Sequence, residues 1–336
     1  MKSRKPRPPV VSQFDPNGSM RRRGFERFFL LNRSVNVIIS ETGKLALSAL
    51  IWPRFVAPFR WRLTRHPLPL AHLRPAFEGY RILHLTDLHV GKTDPKYLLR
   101  VIRTALAERP DLVVITGDLI DYLPEALPLL RQVLAPLAEN RPPDGIIAIF
   151  GNHDYNEYSW RKVGKRSAHR TIHRRLVKML DAFDIRLLRN EQFHLRHRAA
   201  PEARVIFAGL DEMWSERADP TAAFAGLTPA DPVICLQHNP DGITFLEAFP
   251  WQYMLTGHSH GGQAILPLLG ALYVPMEHRE YLRGFYRFPA LPGQGISERT
   301  MFVSTGLGYS TPIRMSCPPE ATMFTLTAAN APAYVI

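Results

Sequence analysis

Cysteine is almost missing from this chain: Cys235, inside an apolar strand-like run, and Cys317, near the C-terminus, are the only two in 336 residues. Neither has the spacing of a disulfide framework or a thiolate metal site, which excludes a cross-linked miniature fold and points to a reducing compartment. A long hydrophobic run is missing too. The most apolar stretch, residues 35–52, is interrupted by Asn36, Glu41 and Lys44, and its longest clean segment is about half of the roughly 20 residues a spanning helix needs. A twin-arginine export signal is only half present, because Arg27, Asn32 and Arg33 break the apolar region that should follow Arg22-Arg23-Gly24-Phe25. There is no internal repeat, and low complexity is confined to the Pro- and Arg-rich first nine residues.

What is present is 46% hydrophobic residues with 30 Pro and 21 Gly, enough for one large core crossed by many turns. The net charge of +12 is unevenly spread: residues 1–79 hold 15 of the 42 Lys+Arg and four of the 30 Asp+Glu. Arg21, Arg22, Arg23, Arg54, Arg60 and Arg62 alternate there with Phe25, Phe28, Trp52, Phe55, Phe59 and Trp61. Arginine mixed with aromatic rings suits an anionic membrane surface. A basic extension over residues 1–79 is therefore expected either to contact membrane or to wrap the domain at 80–330. Nucleic acid is not expected, since no binding module accompanies the charge.

From residue 80 the pattern changes to short apolar runs alternating with helical periodicity. Strands are expected at 81–86, 112–116 and 146–150, and helices at 95–108 and 124–138. Such alternation implies an α/β fold with a buried, mostly parallel sheet. Further strand-like runs at 204–208, 232–237, 253–256, 301–305 and 321–326, with fewer helices between them, imply a second sheet packed on the first.

Five polar motifs follow these apolar runs: Asp87-Leu88-His89, Gly117-Asp118, Gly151-Asn152-His153-Asp154, His238, and Gly257-His258-Ser259-His260. Turns beyond the C-terminal ends of strands are where such sheets bind ligands. Glycine at 117, 151 and 257 permits sharp turns that aim the next side chain at a common centre. His, Asp and Asn together are ligands for divalent cations. Without thiolate they favour Mn²⁺ first, with Fe or Zn²⁺ as alternatives.

In this order the motifs resemble those of the calcineurin-like metallophosphoesterases: Asp-x-His, Gly-Asp, Gly-Asn-His-Asp/Glu, a single His, and Gly-His-x-His. The resemblance runs from Tyr80 nearly to the C-terminus. It implies a four-layer αββα sandwich of two mixed sheets with flanking helices, and hydrolysis of phosphoesters at two divalent cations. Position by position it implies Asp87, His89 and His260 at one cation, Asn152, His238 and His258 at the other, and Asp118 between them. Two cations in such a site can clamp a phosphoryl oxygen and lower the pKa of a bridging water. His153, left without a metal, is the expected catalytic group, stabilising phosphoryl oxygens or protonating the leaving oxygen. Asp154 is expected to orient the His153 imidazole, or else to cap the turn.

The remaining histidines have no such context. His84 is expected in the core, and His169, His173, His194, His197 and His278 in packing or surface roles. The basic segment 161–175 follows the third motif directly. There Arg161, Arg166 and Arg170 are candidates for binding a second substrate phosphate, against the alternative of a solvated helix face.

Glu280-Tyr281-Leu282-Arg283-Gly284-Phe285-Tyr286, Val303-Ser304-Thr305-Gly306-Leu307-Gly308 and Pro312-Ile313-Arg314 resemble signatures of a bacterial membrane-associated subgroup that includes the chlamydial-type UDP-2,3-diacylglucosamine pyrophosphatases. That resemblance implies cleavage of UDP-2,3-diacylglucosamine to UMP and 2,3-diacylglucosamine 1-phosphate in lipid A biosynthesis. The enzyme would sit peripherally on the inner face of the cytoplasmic membrane, with no protein partner in evidence. A broader phosphodiesterase or phosphatase at the membrane is the alternative. A non-catalytic metal-binding scaffold is the alternative of another class, and the intact ligand set opposes it.

Overall fold

Residues Leu112–Thr116, Leu-Val-Val-Ile-Thr, are buried at every position, as a strand covered on both faces must be. In this computed structural model they form a central strand whose side chains divide between two cores. Val113 and Ile115 face a helical layer, while Val114 faces a second sheet. The structure describes residues 51–121, 125–155, 166–266, 270–271 and 274–329, without the side chains of 166–170. All that follows concerns the unit Pro53–Ile336.

The first sheet contains β1 (Arg62–Leu70), β2 (Arg81–Leu85), β3 (Leu112–Thr116), β4 (Ile146–Ile149), β5 (Ile185–Leu187) and, last in the chain, β14 (Glu320–Ala328). Their order is β1-β14-β2-β3-β4-β5, with β2 to β5 parallel and β14 antiparallel to β2. The second sheet contains β6 (Glu191–His197), β7 (Ala200–Gly209), β8 (Val233–Leu236), β9 (Tyr253–Thr256), β12 (Gly284–Pro289) and β13 (Glu298–Val303). Its order is β12-β13-β9-β8-β7-β6, with a parallel centre and antiparallel edges. A two-strand ribbon, β10 (Ile265–Leu266) with β11 (Gly270–Ala271), lies outside both.

Helices α1 (Pro95–Leu106), α2 (Ala126–Glu139) and α3 (Arg166–Ala182) supply apolar residues to the core on the outer face of the first sheet. Asp94 starts α1 by accepting Lys96 N at 3.0 Å, ahead of a Pro that needs no donor partner. The short helices α4 (Pro220–Ala223) and α5 (Ile243–Leu246) cover the second sheet. Between the sheets lie Leu68, Ile82, Val114 and Ile147 from one side and Val205, Ile234, Leu255 and Phe302 from the other. The layers are therefore αββα, as expected.

One boundary differs from the sequence expectation. Residues 62–70, grouped there with the basic extension, form the edge strand β1 and pair in parallel with β14 from Arg62↔Glu320 to Leu70↔Ala328. An edge tolerates the two prolines and the exposed charges that made this segment look unlike a strand. Among the described residues no helix is long and apolar enough to cross a membrane.

Candidate metal centre

The turns after β2, β3, β4, β8 and β9 open at one end of the sandwich and carry all five motifs. Pairing continues past the strands: Asp87 N donates to Gly117 O at 3.1 Å, His89 N to Asp118 O at 3.0 Å, and Gly257 N to His238 O at 2.9 Å. The sheets are joined where His258 N donates to both oxygens of Asp87 at 3.1 Å. Asp87, His89, Asp118, His258 and His260 all have positive φ, between 44° and 65°. Such a conformation costs about 1–2 kcal/mol for a residue with a Cβ, so five together mark a place where function overrides local preference. Gly151 and Gly257 make room for them. A Cβ on Gly151 would lie 2.6 Å from Asp118 N and collide with its carboxylate, and one on Gly257 would collide with the Asp87 carboxylate and Thr86 Oγ1.

The side chains gather into overlapping groups. Asp87, His89 and His260 form one, Asp118, His238 and His258 another, and His89, Asp118 and His153 a third, each with ligand atoms within 4.8 Å. In the first, Asp87 Oδ1 lies 3.5 Å from His260 Nε2 and 3.8 Å from His89 Nε2. In the second, His258 Nδ1 is 2.9 Å from Asn152 Oδ1 and 3.3 Å from His238 Nε2. Asp118 joins them, its Oδ2 3.2 Å from His238 Nε2 and 3.5 Å from His89 Nε2. The seven expected ligands are thus in one place, none more than 6% exposed.

The donor chemistry fits cations at these positions. The outer nitrogen of His238 donates to Thr116 O at 2.7 Å, and that of His258 to Pro275 O at 3.3 Å. Such bonds leave the inward nitrogens as lone pairs, the usual arrangement of a ligating histidine. His89 Nδ1 faces the Asp121 carboxylate at 3.7 Å in the same sense.

Facing nitrogens also need a positive charge between them, and without a metal a proton supplies it. Burial acts to lower the imidazoles of His89, His238, His258 and His260, but Asp118 outweighs it at His238, raised to about 10, and Asp121 with Asp87 outweigh it at His89, raised to about 9. His258, lowered to about 3 by burial and by the charge on His238, is the neutral partner, and burial likewise holds His260 well down. Burial would raise Asp87 and Asp118, yet the surrounding imidazoles hold both below the ordinary carboxylate range.

His153 stands at the edge of this group, its backbone N–H donating to Asp118 Oδ1 at 2.9 Å. The carboxylate expected to orient its ring does not do so. Asp154 is fully buried and accepts from Leu119 N, Ile120 N and Gly151 N at 3.0, 3.2 and 2.9 Å, stapling the turn after β3 to the turn after β4. The carboxylate that faces His153 is Asp121, whose Oδ2 lies 3.7 Å from His153 Nδ1 and 3.0 Å from Lys92 Nζ. Burial would raise Asp121, but His153 and His89 hold it far down. Its position three residues after Asp118 in Gly117-Asp118-Leu119-Ile120-Asp121 was the available sequence signal.

A cavity of about 380 Å³ opens over the group, lined among others by Lys92, His153, Trp214, Gln263, Pro275 and Ile313. Trp214 stands edge-on to His258 at 4.7 Å, held by a turn in which Glu212 accepts Trp214 N and Ser215 N at 3.0 and 2.6 Å. Pro275 is held by Asp241, which accepts Glu277 N and His278 N at 2.8 and 3.0 Å. Of the three candidate arginines, Arg161 lies outside the described residues, and only the backbone of Arg166 and Arg170, at the start of α3, is described. His84 packs between the sheets with its Nε2 2.7 Å from Thr116 Oγ1, and His173 stacks on Tyr155. The side chains of His194, His197 and His278 contact Gln192, Phe77 and Glu280. The His169 side chain is outside the described residues.

Residues 80–262 match the calcineurin-like phosphoesterase family. The chain is 30% identical over 274 residues to phosphodiesterase YaeI of Escherichia coli, covering 81% of this chain and 90% of that protein. It is 30% identical over 329 residues to UDP-2,3-diacylglucosamine pyrophosphatase LpxG of Chlamydia trachomatis, covering 85% and 96%. It is 28% identical over 302 residues to the uncharacterized metallophosphoesterase YkuE of Bacillus subtilis, covering 86% and 95%. The family and the clusters alike suit a dinuclear divalent metal site. Similarity of this extent, running through the turns that carry the clustered ligands, makes the chain a hydrolase of the calcineurin-like metallophosphoesterase family.

Proposed function

We propose that this protein cleaves the pyrophosphate bond of UDP-2,3-diacylglucosamine, giving UMP and 2,3-diacylglucosamine 1-phosphate. The observation that carries the hydrolytic part is the meeting of two ligand clusters at one carboxylate, Asp118, with His153 beside it. Asp87, His89 and His260 would hold one divalent cation, Asn152, His238 and His258 the other, and Asp118 both, with Mn²⁺ the first candidate. Such a pair, when bound, supplies charge stabilisation for phosphoryl oxygens and a nucleophile at neutral pH.

The protein's own groups do the rest. Asp121 would fix the His153 ring through Nδ1, leaving the other nitrogen for the leaving-group oxygen. Lys92, paired with Asp121, would face a phosphoryl oxygen from the cavity wall. Arg161, Arg166 and Arg170 remain candidates for the second phosphate.

The substrate assignment is supported by the resemblance to LpxG along 96% of that protein's length. The apolar wall formed by Trp214, Pro275 and Ile313 suits a ligand with both an apolar and a charged part. The basic, aromatic segment within residues 1–79 would bring the protein to an anionic membrane surface on the cytoplasmic side. A broader phosphodiesterase is the second reading, favoured by equal identity to YaeI.

The test is incubation with UDP-2,3-diacylglucosamine in mixed micelles and, separately, with a soluble chromogenic diester. Release of UMP and the lipid 1-phosphate supports the first reading. Cleavage of the diester alone supports the second.

A further inference from the structure

Arg314 is wholly buried, and no carboxylate among the described residues forms an ion pair with it. Removing a guanidinium from water is costly unless its donors are all used. Here the two terminal nitrogens spend theirs on backbone oxygens, while Nε is buried without a hydrogen-bond partner among the described residues. Nη1 donates to Thr305 O at 2.7 Å and His260 O at 3.0 Å, and Nη2 to Gly308 O at 2.6 Å and Gly306 O at 3.3 Å. Nη2 also lies 3.2 Å from His260 Nδ1. His260 is thus the exception among the clustered histidines, its outer nitrogen meeting a cation instead of a carbonyl or carboxylate.

The carbonyls that Arg314 gathers belong to two turns. One, after β9, carries His260. The other, residues 304–308 after β13, bears directly on the strand end that carries Asp87. Leu307 N donates to Thr86 O at 3.1 Å and Gly308 N to Asp87 O at 2.6 Å, and a Cβ on Gly306 would lie 2.6 Å from Asp87 Cβ. One planar fork therefore fixes the distance between Asp87 and His260. The second cluster is braced differently, by Thr116 O behind His238 and Pro275 O behind His258. A positive charge beside a cation site opposes metal binding, so its value there has to be geometric.

We infer that Arg314 is a positioning residue dedicated to the Asp87–His89–His260 cluster, and that its loss empties that cation position while the Asp118–Asn152–His238–His258 position stays occupied. The inference rests on the dinuclear reading above. Lysine keeps the charge but cannot reach both turns with a rigid fork.

Full-length protein would be stripped with chelator, reloaded with Mn²⁺ and desalted. Metal content and the electron paramagnetic resonance spectrum would then be read for wild type, Arg314→Lys and Arg314→Gln, with His260→Ala and His238→Ala as single-site references. The expected result is two Mn²⁺ per chain and an exchange-coupled spectrum for wild type. Both Arg314 variants should match His260→Ala, with close to one Mn²⁺, the six-line spectrum of an isolated ion and affinity at one position reduced by about 10- to 100-fold. Arg314→Lys, closest in size and charge, guards against a loss that reflects misfolding, and retention of one bound Mn²⁺ is itself a sign of the fold. Two ions held at unchanged affinity in both variants, or parallel loss of both ions, overturns the inference. A wild type that binds no Mn²⁺ overturns the dinuclear reading itself and is recognised because the unsubstituted protein fails.

Discussion

The floor and the wall of the cavity are held by different means. On the floor, the ligand side chains are buried, several sit in a strained backbone conformation, and each is fixed by its own strand end and by a neighbouring turn. On the wall, Trp214 is fixed by a single-turn staple from Glu212, and the segment that follows Pro275 by the distant Asp241, which accepts Glu277 N and His278 N. A floor built this way tolerates almost no change of residue type, whereas on the wall it is the backbone oxygen of Pro275 that braces a ligand, His258, so wall side chains can change while that bond is kept. The reaction class is thereby fixed separately from the choice of substrate.

The sharpest way to break that contrast is at the shared carboxylate. Asp118→Asn should lower kcat on any phosphoester by on the order of 10³-fold, with His194→Ala as an unaffected control. Gly151→Ala should follow closely, losing about 100-fold in kcat and about 1–3 kcal/mol of stability, because the new Cβ is driven into Asp118. Stopped-assay kinetics and denaturant titration would report both. Asp121→Asn should cost roughly 10- to 100-fold in kcat, with a changed pH–rate profile, since it touches both His153 and His89.

On the wall the effect should be smaller and selective. Trp214→Ala should raise KM for a lipid-linked nucleotide by about three- to tenfold and leave kcat on a small chromogenic diester unchanged. Equal loss on both substrates would erase the distinction between floor and wall.

The smallest effect is on stability and applies to the metal-free protein. His238 is raised from 6.5 to about 10 by Asp118, so its contribution is complete below pH 6.5 and lost as pH rises through about 10. The stability difference between chelator-treated wild type and His238→Gln should therefore shrink across that window, while the difference for Trp214→Ala stays flat. Denaturant midpoints at several pH values would show it.

Legibility in the sequence follows the same division. Asp87, His89, Asp118, Asn152, His238, His258 and His260 could be read because each combines a specific residue type with a strand end. Asp154 adjoins His153 in the sequence, which leaves orienting its ring and capping the turn equally open, and Asp121 has no such adjacency. Only the fold reveals that three backbone N–H groups claim Asp154. The buried strands showed as apolar runs. β1 was obscured by its arginines and prolines, and β6 by the frequent exposure of its residues. Trp214 carried no local signal, and Arg314 showed only as part of the Pro312-Ile313-Arg314 signature, without its role, since that role depends on turns brought together from distant parts of the chain.

The central claim is that a pair of divalent cations held by these clusters is required for phosphoester hydrolysis. The most direct measurement titrates chelator-stripped protein with Mn²⁺ while following cleavage of a chromogenic diester. Activity should be absent without metal and rise to a plateau at two equivalents per chain. Full activity in protein shown to contain no metal would contradict the account.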